Sequence, residues 1–171
     1  GGLSACSPAR AGYYAPNATA EVACPNEETY CPGGGAAPVT VDVGFYSSPV
    51  TTSREEPFPG TVVTTMRTGQ TRCEARYFCT GGVRELCGAG EYSEAGWGAC
   101  KPCAAGAFET GNRTCRACNS TLYCPAGTTL PLRRCSAGHY CTTPATSAEC
   151  MAGYFCPEGS TAPTLCTAGS V

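Results

Sequence analysis

Hydrophobic positions in this chain recur in short runs. Val39, Val41, Val43 and Phe45 alternate with more polar neighbours, and residues 61–68 are similarly rich in β-branched side chains. Alternation with a period of two residues predicts strands, so we expect these two stretches to pair as the main sheet. The connection between them, residues 47–60, is rich in Pro, Ser and Thr and is expected to be an exposed loop. Pro and Gly interrupt nearly every window, which argues against helices longer than a turn or two.

A repeat of about 15 residues organises the C-terminal part of the chain. In most copies a cysteine is followed by glycine three residues later and by an aromatic residue five residues later. Glycine supplies the positive φ that a tight turn requires, and the aromatic ring supplies apolar area. Copies of this kind contact mainly their neighbours, so the pattern predicts a linear array. The cysteines that start the repeats are Cys73, Cys87, Cys103, Cys118, Cys135, Cys150 and Cys166.

Composition explains what holds such an array together. Among 171 residues, 16 are Cys and none is Ile, so a conventional apolar core is not available and disulfides must replace it. An even number of cysteines permits complete pairing, which is typical of secreted proteins. The net charge of −2 and the lack of a basic cluster favour neither nucleic acid nor anionic lipid as a partner. Because no apolar run approaches about 18 residues, we expect no membrane span.

The connectivity of the cysteines is not determined by spacing alone, but loop lengths favour sequential pairing with one crossed region. Cys100-x2-Cys103 and Cys115-x2-Cys118 would form strained rings if each pair closed on itself, so we expect them to cross. The same spacing is typical of a four-cysteine zinc ribbon, and a redox Cys-x-x-Cys is a third possibility. Twelve further cysteines with the same period favour disulfides over a metal. The predicted pairs are Cys6–Cys24, Cys31–Cys73, Cys79–Cys87, Cys100–Cys115, Cys103–Cys118, Cys124–Cys135, Cys141–Cys150 and Cys156–Cys166.

Residues for catalysis are scarce, whereas acceptors for sugars are present. The chain has a single His, a single Asp and a single Lys, namely His139, Asp42 and Lys101, so we expect neither an enzyme nor a bound cofactor or metal. Three Asn-x-Ser/Thr sequons predict N-glycosylation, and the composition of residues 47–65 also suits O-linked glycans. The three predicted acceptors are Asn17, Asn112 and Asn119.

The motifs resemble a known family. Cys87-Gly-Ala-Gly-Glu-Tyr and Cys150-Met-Ala-Gly-Tyr-Phe-Cys are similar to the ephrin-receptor-like cysteine-rich repeat and to tumour-necrosis-factor-receptor modules. The stretch 38–72 resembles a strand-bearing insert of large algal and protist surface proteins that carry such arrays. The resemblance implies elongated, non-catalytic extracellular proteins, including glycoproteins of flagellar hairs and fibrils. Arg76 and Thr121 depart from the motif because they stand in place of its glycine.

These observations predict a small disulfide-rich fold, mostly irregular, with short β-strands and hairpins in an elongated array. We expect irregular cysteine-rich units over residues 1–37, the insert over 38–72 and tandem repeats over 73–171. The function expected is that of an extracellular structural glycoprotein, a stapled rod that assembles with copies of itself or with neighbouring modules into a fibril or coat. The alternative is a receptor or adhesion ectodomain that binds a protein or glycan through the insert.

Overall fold

Short strands and turns make up the fold. The structure, a computed structural model, describes residues 6–48, 51–52, 65–130 and 132–167, and these contain no helix. The longest strands have five residues, and the predicted class, a small disulfide-rich fold of short strands and hairpins, is confirmed. The strands are β1 Tyr13–Asn17, β2 Ala20–Ala23, β3 Thr29–Tyr30, β4 Val39–Thr40, β5 Phe45–Ser48, β6 Thr51–Thr52, β7 Thr65–Met66, β8 Gly69–Arg72, β9 Tyr77–Thr80, β10 Val83–Leu86, β11 Glu91–Tyr92, β12 Lys101–Pro102, β13 Ala107–Glu109, β14 Cys115–Ala117, β15 Leu122–Tyr123, β16 Thr128–Thr129, β17 Arg133–Arg134, β18 His139–Thr143, β19 Thr146–Glu149, β20 Tyr154–Phe155 and β21 Thr164–Leu165.

Pairing is local and mostly antiparallel. Within the described ranges each sheet has two strands, except for the three-stranded sheet β14-β13-β16, in which β13 and β16 run parallel. Strand β11 pairs with β12 so that Tyr92 lies opposite Lys101, and β18 pairs with β19 so that Tyr140 lies opposite Ala148. Each hairpin therefore returns the chain to the start of its own repeat.

The stretch 39–46 is not one strand, and this prediction is wrong. Strand β4 ends at Thr40, a turn follows, and β5 begins at Phe45. Gly44 in this turn has φ +86°, a conformation that an extended strand does not contain. The alternating valines do not form one buried face of a strand, because Val41 is buried whereas Val43 is 72 % exposed.

The two sides of the insert pair, but not between the two predicted stretches. Strand β5 pairs with β8, which lies beyond residues 61–68, and β7 pairs with β6, which lies inside the predicted connection 47–60. The resulting sheets are no larger than the others in the part of the chain that is described. Within the predicted exposed connection 47–60, residues 49–50 and 53–60 lie outside the described residues, whereas residues 47–48 and 51–52 belong to strands, so the prediction is wrong for these four.

The chain divides into two compact units. The first comprises Gly1–Glu85 with Glu94–Ala99, and the second comprises Leu86–Ser93 with Cys100–Val171. In neither unit do the described residues include a helix with the length and apolarity needed to cross a bilayer.

Candidate functional site

Each cysteine from Cys24 to Cys156 forms a disulfide with the cysteine before or after it in the sequence. The Cα atoms of the bonded residues lie 5.6 to 6.6 Å apart, the usual range for a disulfide. Cys6 and Cys166 have free thiols. The bridges are Cys24–Cys31, Cys73–Cys79, Cys87–Cys100, Cys103–Cys115, Cys118–Cys124, Cys135–Cys141 and Cys150–Cys156.

The predicted pairing is therefore wrong, because its six sequential pairs are shifted by one cysteine along the chain and its two crossed pairs do not form. The structure contains none of the pairs Cys6–Cys24, Cys31–Cys73, Cys79–Cys87, Cys100–Cys115, Cys103–Cys118, Cys124–Cys135, Cys141–Cys150 and Cys156–Cys166.

In four of the seven bridges, backbone hydrogen bonds tie both cysteines to one turn glycine. The N–H of Gly106 donates to the carbonyl of Cys124 at 2.7 Å, and the N–H of Cys118 donates to the carbonyl of Gly106 at 2.9 Å. Both cysteines of one bridge are thus held against a single residue of the preceding turn. The same pair of bonds joins Gly12 to Cys24 and Cys31, Gly44 to Cys73 and Cys79, and Gly138 to Cys150 and Cys156.

The four cysteines of the two Cys-x-x-Cys motifs belong to three different bridges. Strand β12 pairs back onto β11, which places Cys100 beside the segment that starts at Cys87. Strand β14 pairs back onto β13, which places Cys115 beside the segment that starts at Cys103. Neither crossed bridge forms, because each hairpin closes within its own repeat.

A seven-residue turn segment recurs along the chain. We call its first residue the opening position and its last residue the closing position; one copy, Cys24–Cys31, is a residue longer. Every buried residue other than glycine in the described ranges occupies one of these positions. The opening and closing residues are Ala9 and Ala15, Cys24 and Cys31, Val41 and Ser47, Cys73 and Cys79, Cys87 and Ser93, Cys103 and Glu109, Cys118 and Cys124, Cys135 and Cys141, and Cys150 and Cys156.

Two of these segments contain no sulfur, and sequence analysis missed both. Ala9 and Val41 are buried at opening positions, and the following turns join the same backbone pattern through Gly12 and Gly44. The sequence did contain a signal for both segments. An aromatic residue stands two positions after Gly12 and after Gly44, as it does after the glycine in the repeats that begin with a cysteine. The repeat therefore extends through the N-terminal part of the chain, where the cysteine spacing had concealed it.

Sulfur forms the innermost layer of the core. The largest fully buried side chains are all half-cystines, among them Cys31, Cys79 and Cys124. The aromatic residues one position before the closing residue are half-buried or exposed, with Phe155 at 51 %. They are less buried than the bridges and are not themselves the centre of the fold.

One closing position carries a buried carboxylate. Glu109 is 3 % exposed, and its Oε1 accepts a hydrogen bond from the backbone N–H of Arg113 at 2.6 Å. Its Oε2 lies 3.3 Å from Nη1 of the same arginine. Arg113 has φ +58°, and its Nε has no hydrogen-bond partner among the described residues. In this segment the opening Cys103 is bridged to Cys115 outside the segment, and the ion pair with Arg113 holds the closing residue.

Charged and aromatic residues gather in the first compact unit. The Arg84 guanidinium lies 4.8 Å from the ring centre of Tyr77 and 5.3 Å from that of Tyr46, and its Nη1 lies 3.1 and 3.2 Å from the Glu74 carboxylate oxygens. Hydrogen bonds, first from the Glu74 backbone N–H and then from Arg84, lower the pKa of the Glu74 carboxyl. The hydrogen bond to Glu74 raises the pKa of Arg84.

A cavity of about 320 Å³ lies next to this cluster. It is lined by Glu27, Tyr46, Ser47, Arg67, Gly82, Val83 and Arg84, all within the first compact unit. Arg67 is largely buried, with 14 % of its side chain exposed, and its Nη2 lies 3.8 Å from Glu27 Oε1. A second cavity of about 530 Å³, in the second compact unit, is lined by Leu132, Arg133, Arg134, Ser136, Ala137 and Glu158.

The three sequon asparagines are exposed. In the turn between β1 and β2, Asn17 Oδ1 accepts hydrogen bonds from the N–H and hydroxyl of Thr19, at 3.0 and 2.8 Å. Asn112 precedes Arg113, and Asn119 begins the turn before β15. None of them is enclosed by the fold, so each could carry a bulky group.

The residues considered for catalysis are not gathered at one place. His139 is exposed on β18 in the second compact unit, and Asp42 is exposed in the first, where its carboxylate accepts a hydrogen bond from Gln70 at 2.7 Å. Among the described residues there is no cluster of three or more His, Cys, Asp or Glu able to hold a metal ion.

No family model matches the chain, and no curated protein matches it.

Proposed function

We propose that this protein is an extracellular structural glycoprotein that forms, or assembles into, a surface fibril or coat. The observation that carries the proposal is the repeated turn segment, in which backbone bonds join one repeat to the next and a disulfide closes most copies. A scaffold held by many small covalent loops resists local unfolding without needing a large core. The seven bridges are consistent with an oxidising compartment.

The resemblance to ephrin-receptor-like arrays supports the same proposal. One of the two departures from its motif is accommodated locally: Arg76 takes φ +80°, the conformation that the motif assigns to glycine, whereas Thr121 does not have a positive φ. Since the backbone geometry of the motif is retained at Arg76, this residue does not argue against the array.

Assembly is tested by electron microscopy and sedimentation of the native, fully oxidised protein. We expect filaments or sheets with a repeating subunit and a sedimentation coefficient that rises with concentration. A protein that stays monomeric at all concentrations, and shows no ordered assembly from its native source, would overturn the structural role.

Glycosylation is tested by the mass of peptides containing Asn17, Asn112 and Asn119. Enzymatic release of an N-glycan converts Asn to Asp and adds about 1 Da. We expect this change at the sequons and not at Asn26, an exposed asparagine outside any sequon. Unmodified sequons in protein from the native source would contradict the glycoprotein assignment.

A receptor or adhesion ectodomain is the second candidate, because one observation favours it. Tyr46, Ser47 and Arg67, which line the smaller cavity, belong to the stretch 38–72 for which ligand binding was predicted. Monomers that capture one soluble ligand through this stretch would favour the second candidate over the first.

A further inference from the structure

The smaller cavity has walls that are held by backbone contacts. The carbonyl of Gly82 accepts the N–H of Ser47 at 2.9 Å, and the carbonyl of Arg67 accepts the N–H of Cys31 at 2.9 Å. Gly82 has φ +74°, and a Cβ atom there would collide with the carbonyl of Glu27. The walls are therefore set before any ligand arrives, which lowers the cost of binding.

Of the two arginines that line the cavity, Arg67 uses less of its hydrogen-bonding capacity than Arg84 does. Its distance of 3.8 Å to Glu27 exceeds that of a hydrogen bond, and the residues described supply no other partner for its guanidinium. Arg84 differs, since Glu74 binds it at 3.1 and 3.2 Å and two tyrosine rings flank it. The planar fork of Arg67 is suited to a carboxylate that approaches through the cavity.

Glu27 presents little obstacle to such a carboxylate. Its side chain is 63 % exposed, so its loose pair with Arg67 contributes little to stability. An incoming carboxylate that binds Arg67 in bidentate geometry would replace a weak contact by a strong one. Two arginines and one glutamate line the cavity, which also favours an anionic ligand.

We propose that this cavity binds a uronic-acid sugar whose carboxylate pairs with Arg67. The volume of about 320 Å³ is at the lower end of small-molecule sites and holds more than a bare carboxylate. Val83 and the half-exposed ring of Tyr46 offer apolar surface to the C–H face of a pyranose ring, and the polar groups around them suit hydroxyls. The assignment is independent of whether the protein forms fibrils.

The test is calorimetric titration of the oxidised full chain with D-glucuronate, alongside D-glucose and acetate. We expect glucuronate to bind, with an affinity that falls as salt is raised, and both controls to bind at least about tenfold more weakly. If glucose bound as tightly as glucuronate, the role of the carboxylate would be overturned. If acetate bound as tightly as glucuronate, the assignment of a sugar ligand would be overturned. No binding of glucuronate would overturn the site itself while leaving the fibril proposal intact.

Substitutions assign the binding to these residues. Arg67→Gln should weaken glucuronate binding at least about tenfold, whereas Arg134→Gln, in the second compact unit, should leave it unchanged. Glu27→Gln removes the competing carboxylate and should tighten binding roughly two- to fivefold, a gain that a damaged fold cannot imitate. Glu28→Gln is its matched control, because Glu28 is adjacent but does not line the cavity. Unchanged or weaker binding by the Glu27 variant would contradict the proposal even if Arg67→Gln failed to fold.

Discussion

Two turn segments of the first compact unit have the same backbone role but are closed by different means. Val41–Ser47 holds no sulfur, whereas Cys73–Cys79 is bridged. They are neighbours in space, because Gly44 of the first donates to Cys79 and accepts from Cys73. Both opening residues are buried, Val41 at 7 % and Cys73 at 1 %. The repeat is thus defined by its backbone hydrogen bonds, and sulfur is one of several groups that can fill its interior.

The comparison also separates two contributions to stability. A bridge of this size is expected to contribute about 2–3 kcal/mol, largely by restricting the unfolded chain. A buried valine contributes through the transfer of apolar area from water, at roughly 1.5–3 kcal/mol. The disulfide and the buried valine therefore contribute similar free energies to the stability of one segment, but only the contribution of the disulfide depends on the redox state.

Reduction of all bridges is expected to have the largest effect. Removing seven of them would cost on the order of 15–20 kcal/mol, more than the usual stability of a whole domain. The reduced and alkylated chain should lose its amide protection from hydrogen exchange, including that of residues 41–47. Protection that persists in this sulfur-free segment would show that its backbone bonds are stable alone, and would contradict the prediction.

Glu109→Ala tests the third kind of closing residue, a carboxylate. Its loss leaves the partly buried Arg113 without its counter-ion, so we expect the free energy of unfolding to fall by about 3 kcal/mol. Denaturant titration measures this change. Glu149→Ala, an exposed glutamate on β19, is the control and should change stability by less than about 0.5 kcal/mol. Equal effects would mean that burial of Glu109 is unimportant.

Gly44→Ala tests the turn that joins the two compared segments. Its φ is +86°, and a Cβ atom would collide with the carbonyl of Gly96, so we expect a loss of at least about 2 kcal/mol. Gly111 has the same φ of +86° but no heavy atom within 4 Å of the added Cβ. Gly111→Ala should therefore cost only the conformational part, about 1 kcal/mol. Similar melting temperatures for the two variants would refute the steric argument.

Introducing sulfur into the unbridged segment sharpens the comparison further. In Val41→Cys combined with Ser47→Cys, the two thiols occupy the positions that Cys73 and Cys79 have in the neighbouring segment. We expect an additional disulfide, detected as loss of about 2 Da and of two alkylatable thiols, and a gain near 2 kcal/mol. Each single variant should show neither change. Two thiols that remain reactive in the folded double variant would mean that the segments differ in geometry after all.

The smallest effect is expected for Glu74, at the exposed end of the bridged segment. The pKa of the Glu74 carboxyl is lower in the folded protein than in the unfolded chain. The stability that this carboxylate contributes is therefore present at pH values above its pKa in the unfolded chain, and is lost as the pH falls through its pKa in the folded protein. Its side chain is 51 % exposed, so Glu74→Gln should cost about 0.5 kcal/mol at pH 7 and nothing near pH 2. Thermal midpoints at the two pH values measure this difference. A larger loss at the acidic value would reverse the sign and contradict the assignment.

Spacing alone predicted the repeat but not its full extent or its bonds. The spacing Cys87-x2-Gly90-x-Tyr92 predicts a turn at the glycine, and the turn is present. The partner of Cys87 is a different matter, because Cys79 and Cys100 are both near in sequence and only hairpin β11–β12 selects Cys100. Likewise the cavity brings Glu27, Arg67 and Arg84 together from separate repeats, and no local pattern joins these residues.

Cysteine content and turn chemistry by themselves determined that this chain becomes a stapled fold of short strands, since no other source of buried area was available. Tertiary structure decided which thiols meet and which residues stand in for sulfur. The physical reason is that a disulfide requires two backbones held within about 6 Å. That approach comes from hydrogen bonds to the preceding repeat in four bridges and from hairpin pairing in Cys87–Cys100 and Cys103–Cys115, and distance along the chain does not encode either.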